Sequence, residues 1–174
     1  MRVPRLCDVT IHAEHPFRDP EPDPVRRLRG RAGGAVSLWT TGSAAERAGL
    51  TVTSFLVIAG EQARVVGMLD PDADLTERLG ETSAAVVQLL AWEHRDLAEV
   101  FAGTAPAPGG MFGMAAFEET AWGPRLASAT TWAGVRLEST REVGWSTEIT
   151  VVIEHLEVGD DDEPLLHRRG RYSR

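Results

Sequence analysis

Three hydroxyls crowd one short stretch, AGLTVTSFLVIAG (48–60), in which Thr51, Thr53 and Ser54 fall within four residues. Residues 50–55 alternate large apolar side chains with hydroxyls, the period of a strand with one buried face. The hydroxyl face has two readings: a solvated outer surface, or a row of donors for a ligand edged with carbonyls and ring nitrogens. Other chemistries are bounded more sharply. No Gly-x-Gly-x-x-Gly follows a strand and no Gly-x-x-x-x-Gly-Lys-Ser/Thr occurs, so neither common nucleotide loop is present. GWSTE (144–148) lacks the second glycine of a nucleophile elbow. His12 and His15, with Glu14 between them, have no evident third ligand, and no metal is expected. His94 heads a helical segment and reads as an exposed polar residue. Asp160, Asp161, Asp162 and Glu163 lack the spacing and glycine of a calcium loop and read as a solvated turn. The five tryptophans (Trp39, Trp92, Trp122, Trp132 and Trp145) read mostly as core, with one available to line a ligand pocket.

The chain that must position these residues has 174 of them, enough for one domain that buries roughly 70% of its unfolded surface. At 43% hydrophobic and 25% charged it is an ordinary globular composition. A formal charge of −8 argues against nucleic acid or an anionic membrane as the principal partner, while leaving room for a local basic patch on a small phosphate. All 18 basic residues are arginine, the mark of GC-rich coding and a bacterial source, from which no chemistry follows. The single Cys7 excludes an internal disulfide and fits a reducing compartment. The N-terminus has no apolar core of signal-peptide length and no window approaches a membrane span, so a cytoplasmic protein is expected.

Residues 1–24 are proline-rich and aperiodic, and read as an extended arm ahead of a domain spanning 25–174. DPVRRLRGR (23–31) places proline at the first turn of a short helix carrying four arginines, most simply a solvated basic face. Strands are predicted over 35–41, 50–59, 63–69 and 84–91, the last two buried on both faces. Asp74 with Glu77 resembles a capping box opening a short helix that ends near Gly80. Residues 92–103 carry Leu97, Val100 and Phe101 at helical spacing. After a Gly/Pro-rich loop (104–110) and a mixed segment to Pro124, strands return at 131–140, 144–159 and 164–173. The expected architecture is mainly β, an antiparallel barrel or sandwich with short peripheral helices.

The order of segments carries more than any one motif. A strand ending in Thr40-Thr41, a glycine turn, Leu50-Thr51-Val52-Thr53-Ser54-Phe55, a strand ending in Asp70-Pro71 and a short helix together resemble the flavin reductase-like family of FMN-binding split barrels. WEHRDLAEVFAG (92–103) is similar to that family's helix after the fourth strand, and 144–172 is similar to its closing strands. The resemblance implies a Greek-key split β-barrel acting as a homodimer, with flavin (FMN, or FAD) at the subunit interface and NAD(P)H as co-substrate. It implies hydride transfer from nicotinamide to flavin N5, and a partner oxygenase that receives the reduced flavin. The cofactor-binding residues it implies are Thr40, Thr41, Leu50, Thr51, Val52, Thr53 and Ser54 on the wall, with Asp70 and Asp72 in the phosphate loop. Arg78, Arg95, His167 and Arg168 supply charge or polar contacts.

This chain departs from the family twice. Gly144-Trp145-Ser146 stands where the family commonly has Gly-Asp-His, whose histidine belongs to the flavin–nicotinamide pocket, so Trp145 and Ser146 become the candidates there. Asp70, Asp72 and Asp74 bring carboxylates to the phosphate loop, where family members often supply Ser, Thr or a basic residue. Two alternatives to a reductase stay open: a flavin-binding protein without nicotinamide turnover, and a split barrel serving only as an interaction module.

Overall fold

The computed structural model describes residues 23–160 and 163–174. The bulk of the predicted N-terminal arm (1–24), Cys7, the His12/Glu14/His15 group, Asp161 and Asp162 lie outside the described residues. The elements are α1 (Pro24–Ala32), β1 (Gly34–Ala35), β2 (Ser37–Thr41), β3 (Ala48–Val52), β4 (Phe55–Ile58), β5 (Arg64–Leu69), α2 (Asp74–Thr82), β6 (Ala84–Leu89) and α3 (Arg95–Phe101). Then come β7 (Phe117–Thr120), β8 (Gly123–Leu126), β9 (Trp132–Val143), β10 (Ser146–Glu157), β11 (Leu166–Arg168) and β12 (Arg171–Ser173).

The main sheet has seven strands in the order β3-β2-β6-β9-β10-β5-β4, every pairing antiparallel. Its two edge strands, β3 and β4, are consecutive in the chain and joined only by Thr53 and Ser54. With Cα atoms about 3.8 Å apart along the chain, two residues cannot cross a flat seven-stranded sheet. The sheet must curl until its edges meet, and that curl is the split barrel. The predicted single strand over 50–59 is therefore two strands broken at Thr53-Ser54. Irregularities in the β9–β10 register at Thr150/Val151 and Ile153/His155 bend these 12-residue strands around the curve.

Inside the curl lies one core: Trp39, Val52, Val65, Leu69, Val135, Ile149 and Val151, closed at one end by Leu75 and Leu79 of α2. These two leucines are one helical turn apart and fully buried, each stabilising the fold by about 1.5–3 kcal/mol. A second core forms outside β2, where Val36 and Leu38 meet Leu97, Val100 and Phe101 of the α3 segment, Leu126 and Leu165. β2 and β6 are thus covered on both sides, as predicted for β6. β5 is not: Val65, Gly67 and Leu69 face the core, while Arg64, Val66 and Met68 face outward. Trp39 lies so close to Gly67 that an added Cβ would sit 2.8 Å from its ring.

Other boundaries differ from the sequence expectations for local reasons. Ala73, not Asp74, is the N-cap of α2 and makes no side-chain cap, while the helix ends at Thr82, close to Gly80 as expected, with Ser83 in the left-handed region. The turn chemistry falls to Asp70 instead, whose carbonyl accepts from Ala73 N (3.2 Å) and Thr76 Oγ1 (2.7 Å). The mixed segment before Pro124 contains the hairpin β7–β8, and the predicted strand over 164–173 is the hairpin β11–β12 turned at Arg169-Gly170. Of the tryptophans, Trp39 and Trp132 are buried, Trp92 and Trp122 half-buried, and Trp145 is 98% exposed.

Candidate functional site

The seam where the sheet closes sets up the site. β3 and β4 end and begin inside the barrel wall, so Thr53 and Ser54 must turn outward, and both are exposed. Thr51 behaves differently: its Oγ1 donates to the Ala98 carbonyl of α3 at 2.8 Å, a structural tie. Among the described residues, the Thr53 and Ser54 hydroxyls take part in no hydrogen bond; only the Ser54 carbonyl is engaged, by Met68 N at 2.8 Å. The opening hydroxyl row is thus divided into one tie and two available groups.

Those two groups line a cavity of about 1270 Å³ between α1 and the outer face of β4, β5 and β10. Leu56, Val66 and Met68 give it an apolar floor, and His167 stands on another wall. Arg26, Arg27, Arg29 and Arg31 of α1 and Arg169 of the β11–β12 turn surround it. α1 buries none of its residues, so it owes its position to its ends. Pro24 starts it, Asp23 Oδ1 caps Val25 N at 2.9 Å, the Gly30 carbonyl accepts from Arg169 N at 2.8 Å, and the Arg31 carbonyl accepts from Arg168 Nε at 3.2 Å. His167 packs edge-on against Tyr172 at 5.4 Å, and burial, helped by Glu99, pushes the Tyr172 phenol up from its ordinary value.

Of the residues singled out in the sequence, this cavity brings together Thr53, Ser54 and His167. Val52 and Leu50 sit just inside the wall, buried and half-buried. Thr40 and Thr41 are fully buried and their hydroxyls are used internally: Thr40 Oγ1 donates to the Pro124 carbonyl, and Thr41 Oγ1 meets the Ala84 carbonyl (2.6 Å) and Thr82 Oγ1 (2.7 Å). Asp70 Oδ1 accepts from Asp72 N at 3.0 Å. Arg78 is held by Glu81 at 2.7 Å and Glu46 at 3.5 Å, and Arg95 lies over Trp92 beside Asp96. Trp145 and Ser146 are at the tip of the β9–β10 hairpin, where Gly144 takes φ 60°. Thr40, Thr41, Asp70, Asp72, Arg78, Arg95, Trp145 and Ser146 do not line the cavity, and neither does Arg168.

The α1 arginines are what sequence reasoning treated as a plain solvated face. The signal was present, four arginines within six residues, but the fold alone places them opposite Thr53 and Ser54. A second, smaller cavity of about 230 Å³ holds His94, expected to be exposed and found buried. Ala91 N donates to its Nδ1 at 3.0 Å, so Nε2 carries the proton and donates to Ser128 Oγ at 2.8 Å. That tautomer cannot act as a base toward Ser128, so the pair is no nucleophilic dyad. Burial lowers the His94 pKa, opposed by Glu93. Among the described residues no three His, Cys, Asp or Glu side chains converge as metal ligands, and no helix is long and apolar enough to cross a membrane.

The flavin reductase like domain family matches residues 29–174, and the chain belongs to this family of flavin-dependent oxidoreductases. Solved structures share the fold at low identity. The NADH:FAD oxidoreductase SgcE6 of Streptomyces globisporus C-1027 aligns at 23% identity over 86% of this chain and 90% of its own, with a TM-score of 0.77. The flavin reductase PheA2 aligns at 21% over 88% and 97%, TM-score 0.78. The styrene monooxygenase flavin reductase of Pseudomonas putida S12 aligns at 22% over 86% and 95%, TM-score 0.75. No curated protein matches the sequence significantly.

Proposed function

We propose that the protein is an NAD(P)H:flavin oxidoreductase that binds flavin along Thr53 and Ser54 and passes reduced flavin to a partner oxygenase. The observation that carries this reading is the pair of unengaged hydroxyls beside an apolar floor in a large cavity. Such a wall fits a ligand whose edge carries carbonyls and ring nitrogens and whose faces are apolar. Bound flavin supplies the hydride acceptor. The chain's own contribution is positioning: Thr53 and Ser54 meet the polar edge, Leu56, Val66 and Met68 cover a face, and His167 borders the same space. No nucleophile is required, in keeping with the tautomer of His94. FMN and FAD both fit this reading, and NADH and NADPH both remain donors.

The neighbours' names support the oxygenase partner, since one of these flavin reductases belongs to a styrene monooxygenase and another to a bacterial two-component tryptophan halogenase. A homodimer is the proposed assembly. On the edge strand β4, Leu56, Val57 and Ile58 are 69%, 67% and 45% exposed, a run of apolar groups at an unpaired sheet edge that a second subunit would cover. The proposed setting is the bacterial cytoplasm, and the proposed organisation a domain over 25–174 behind an arm over 1–24.

The test is an absorption spectrum of purified protein, before and after FMN or FAD, followed by NADH and NADPH consumption. Flavin binding with nicotinamide oxidation well above the free-flavin rate is expected, and absence of both would sink the reading. A second reading, flavin binding without turnover, is favoured by Trp145 and Ser146 standing where the family's Asp-His is expected. Flavin binding with background consumption would select it.

A further inference from the structure

We propose that Arg27, Arg29 and Arg31 of α1, together with Arg169, bind the diphosphate bridge of an adenine dinucleotide whose ring end meets Thr53 and Ser54; this rests on the flavin reading above.

The first support is an asymmetry of pairing. Arg47, Arg64, Arg78, Arg95, Arg125, Arg136, Arg141 and Arg174 each reach a carboxylate. Among the described residues, Arg27, Arg29, Arg31 and Arg169 make no ion pair, although the chain carries 26 acids against 18 bases. Arg168 and Arg171 also lack an ion pair, but Arg168 is spent on the Arg31 carbonyl and neither lines the cavity, whereas the other four do. These four stand at the rim of one cavity with like charges as neighbours, an arrangement that repels itself until an anion enters.

The second support is what surrounds them. Among the described residues two carboxylates, Asp23 and Glu148, line the same space against five arginines, too few to neutralise the cluster. Asp23 Oδ1 accepts the Val25 amide, and Arg141 grips Glu148 with both Nε (3.3 Å) and a terminal nitrogen (2.7 Å). The helix and the β11–β12 turn are joined through backbone, Gly30 O to Arg169 N, so the Arg169 guanidinium is not spent on anchoring. Guanidinium forks match phosphate oxygens in bidentate geometry. The apolar floor selects a ligand with a flat, uncharged part rather than a bare polyanion, and the net charge of −8 disfavours nucleic acid. Both FAD and the nicotinamide dinucleotides carry the required diphosphate.

The test uses the full chain and the triple variant Arg27→Gln, Arg31→Gln, Arg169→Gln. Dissociation constants are measured for riboflavin, FMN, FAD, NADH, reduced nicotinamide mononucleotide and inorganic pyrophosphate. Pyrophosphate is expected to bind the native chain, with an affinity that falls as salt rises, and to bind the variant at least about tenfold more weakly. The dinucleotide that delivers the diphosphate should weaken by a similar factor, while riboflavin stays within about twofold. A loss confined to FAD assigns the arginines to the flavin, and a loss confined to NADH but absent for the mononucleotide assigns them to the nicotinamide. Unchanged pyrophosphate and dinucleotide binding, or equal losses for riboflavin and FAD, would overturn the proposal. An unchanged melting temperature, expected because α1 buries no residue, separates lost contacts from lost fold. A chain that binds no flavin of any kind removes the reading above it, and the pyrophosphate arm then decides the anion site separately.

Discussion

Ser37 Oγ donates to the Val52 carbonyl at 2.8 Å and accepts Trp39 Nε1–H at 3.0 Å, all inside the barrel. The last buried residue of β3 is thereby held from within, one position before Thr53 turns out toward the cavity. Ser37→Ala leaves the indole N–H and the Val52 carbonyl each without this partner. The expected loss is about 1–3 kcal/mol in denaturant unfolding, with weaker flavin binding, because the β3 end is no longer fixed.

The hydroxyls of 51–54 should separate by function. Thr53→Val and Ser54→Ala are expected to weaken flavin binding while changing stability by less than about 0.5 kcal/mol, since both residues are exposed and unengaged. Thr51→Val should do the reverse. It removes the tie to Ala98, costing about 1 kcal/mol in unfolding, and leaves the exposed pair in place. Flavin titration beside chemical denaturation of each variant reads both effects.

His94 predicts an acid limit. Burial holds its folded pKa below the ordinary histidine value of 6.5, so the unfolded chain binds the extra proton first. Stability is then fully present above about 6.5 and is lost progressively as pH falls from there through the lowered folded value. The proton would land on Nδ1, which accepts from Ala91 N, and would break that bond; Glu93 opposes the effect, and Asp160 and Glu163 line the same small cavity. Melting temperatures between pH 7.5 and 5 should fall for the native chain and fall less for His94→Gln.

Gly67→Ala is expected to destabilise by about 1–3 kcal/mol through overpacking, since its Cβ would meet the Trp39 ring at 2.8 Å in a core that cannot open outward. The measured fall in unfolding free energy should come with a changed Trp39 environment in near-ultraviolet circular dichroism. A fully native dichroism signal with unaltered stability would contradict the packing described here.

Trp145 and Ser146 test the catalytic departure. At 98% exposure on a hairpin tip, Trp145→Ala should leave stability within about 0.5 kcal/mol. If the nicotinamide approaches this tip, as the family resemblance implies, Ser146→His should raise NADH turnover while the flavin dissociation constant stays unchanged. Equal turnover in Ser146→His and the native chain would detach the tip from the reaction.

Much of this was readable from periodicity and order. β2, β6 and α3 appear where their apolar patterns place them, and the order of segments resembles that of the split barrel. What escaped were features decided by distant parts of the chain. The alternation in 50–55 breaks at the Thr53-Ser54 doublet, but two hydroxyls in a row are too weak a signal to divide a strand, and the closing of the sheet decides it. Asp74 and Glu77 satisfy the pattern of a capping box, yet the turn built on Asp70 starts the helix one position earlier in its cap. Thr40 and Thr41 look like donors in sequence, and only the packing of Pro124, Thr82 and Ala84 against them shows their hydroxyls already used. His94 was misplaced for the same reason, because Ser128, a partner 34 residues away, covers it.

The two-residue crossing between β3 and β4 has one more consequence. Because Thr53 and Ser54 are also the link that joins the barrel's two edges, the spacing of the hydroxyl pair and the curvature of the whole wall are a single mechanical variable. A ligand held by the pair would bear directly on the closure of the sheet.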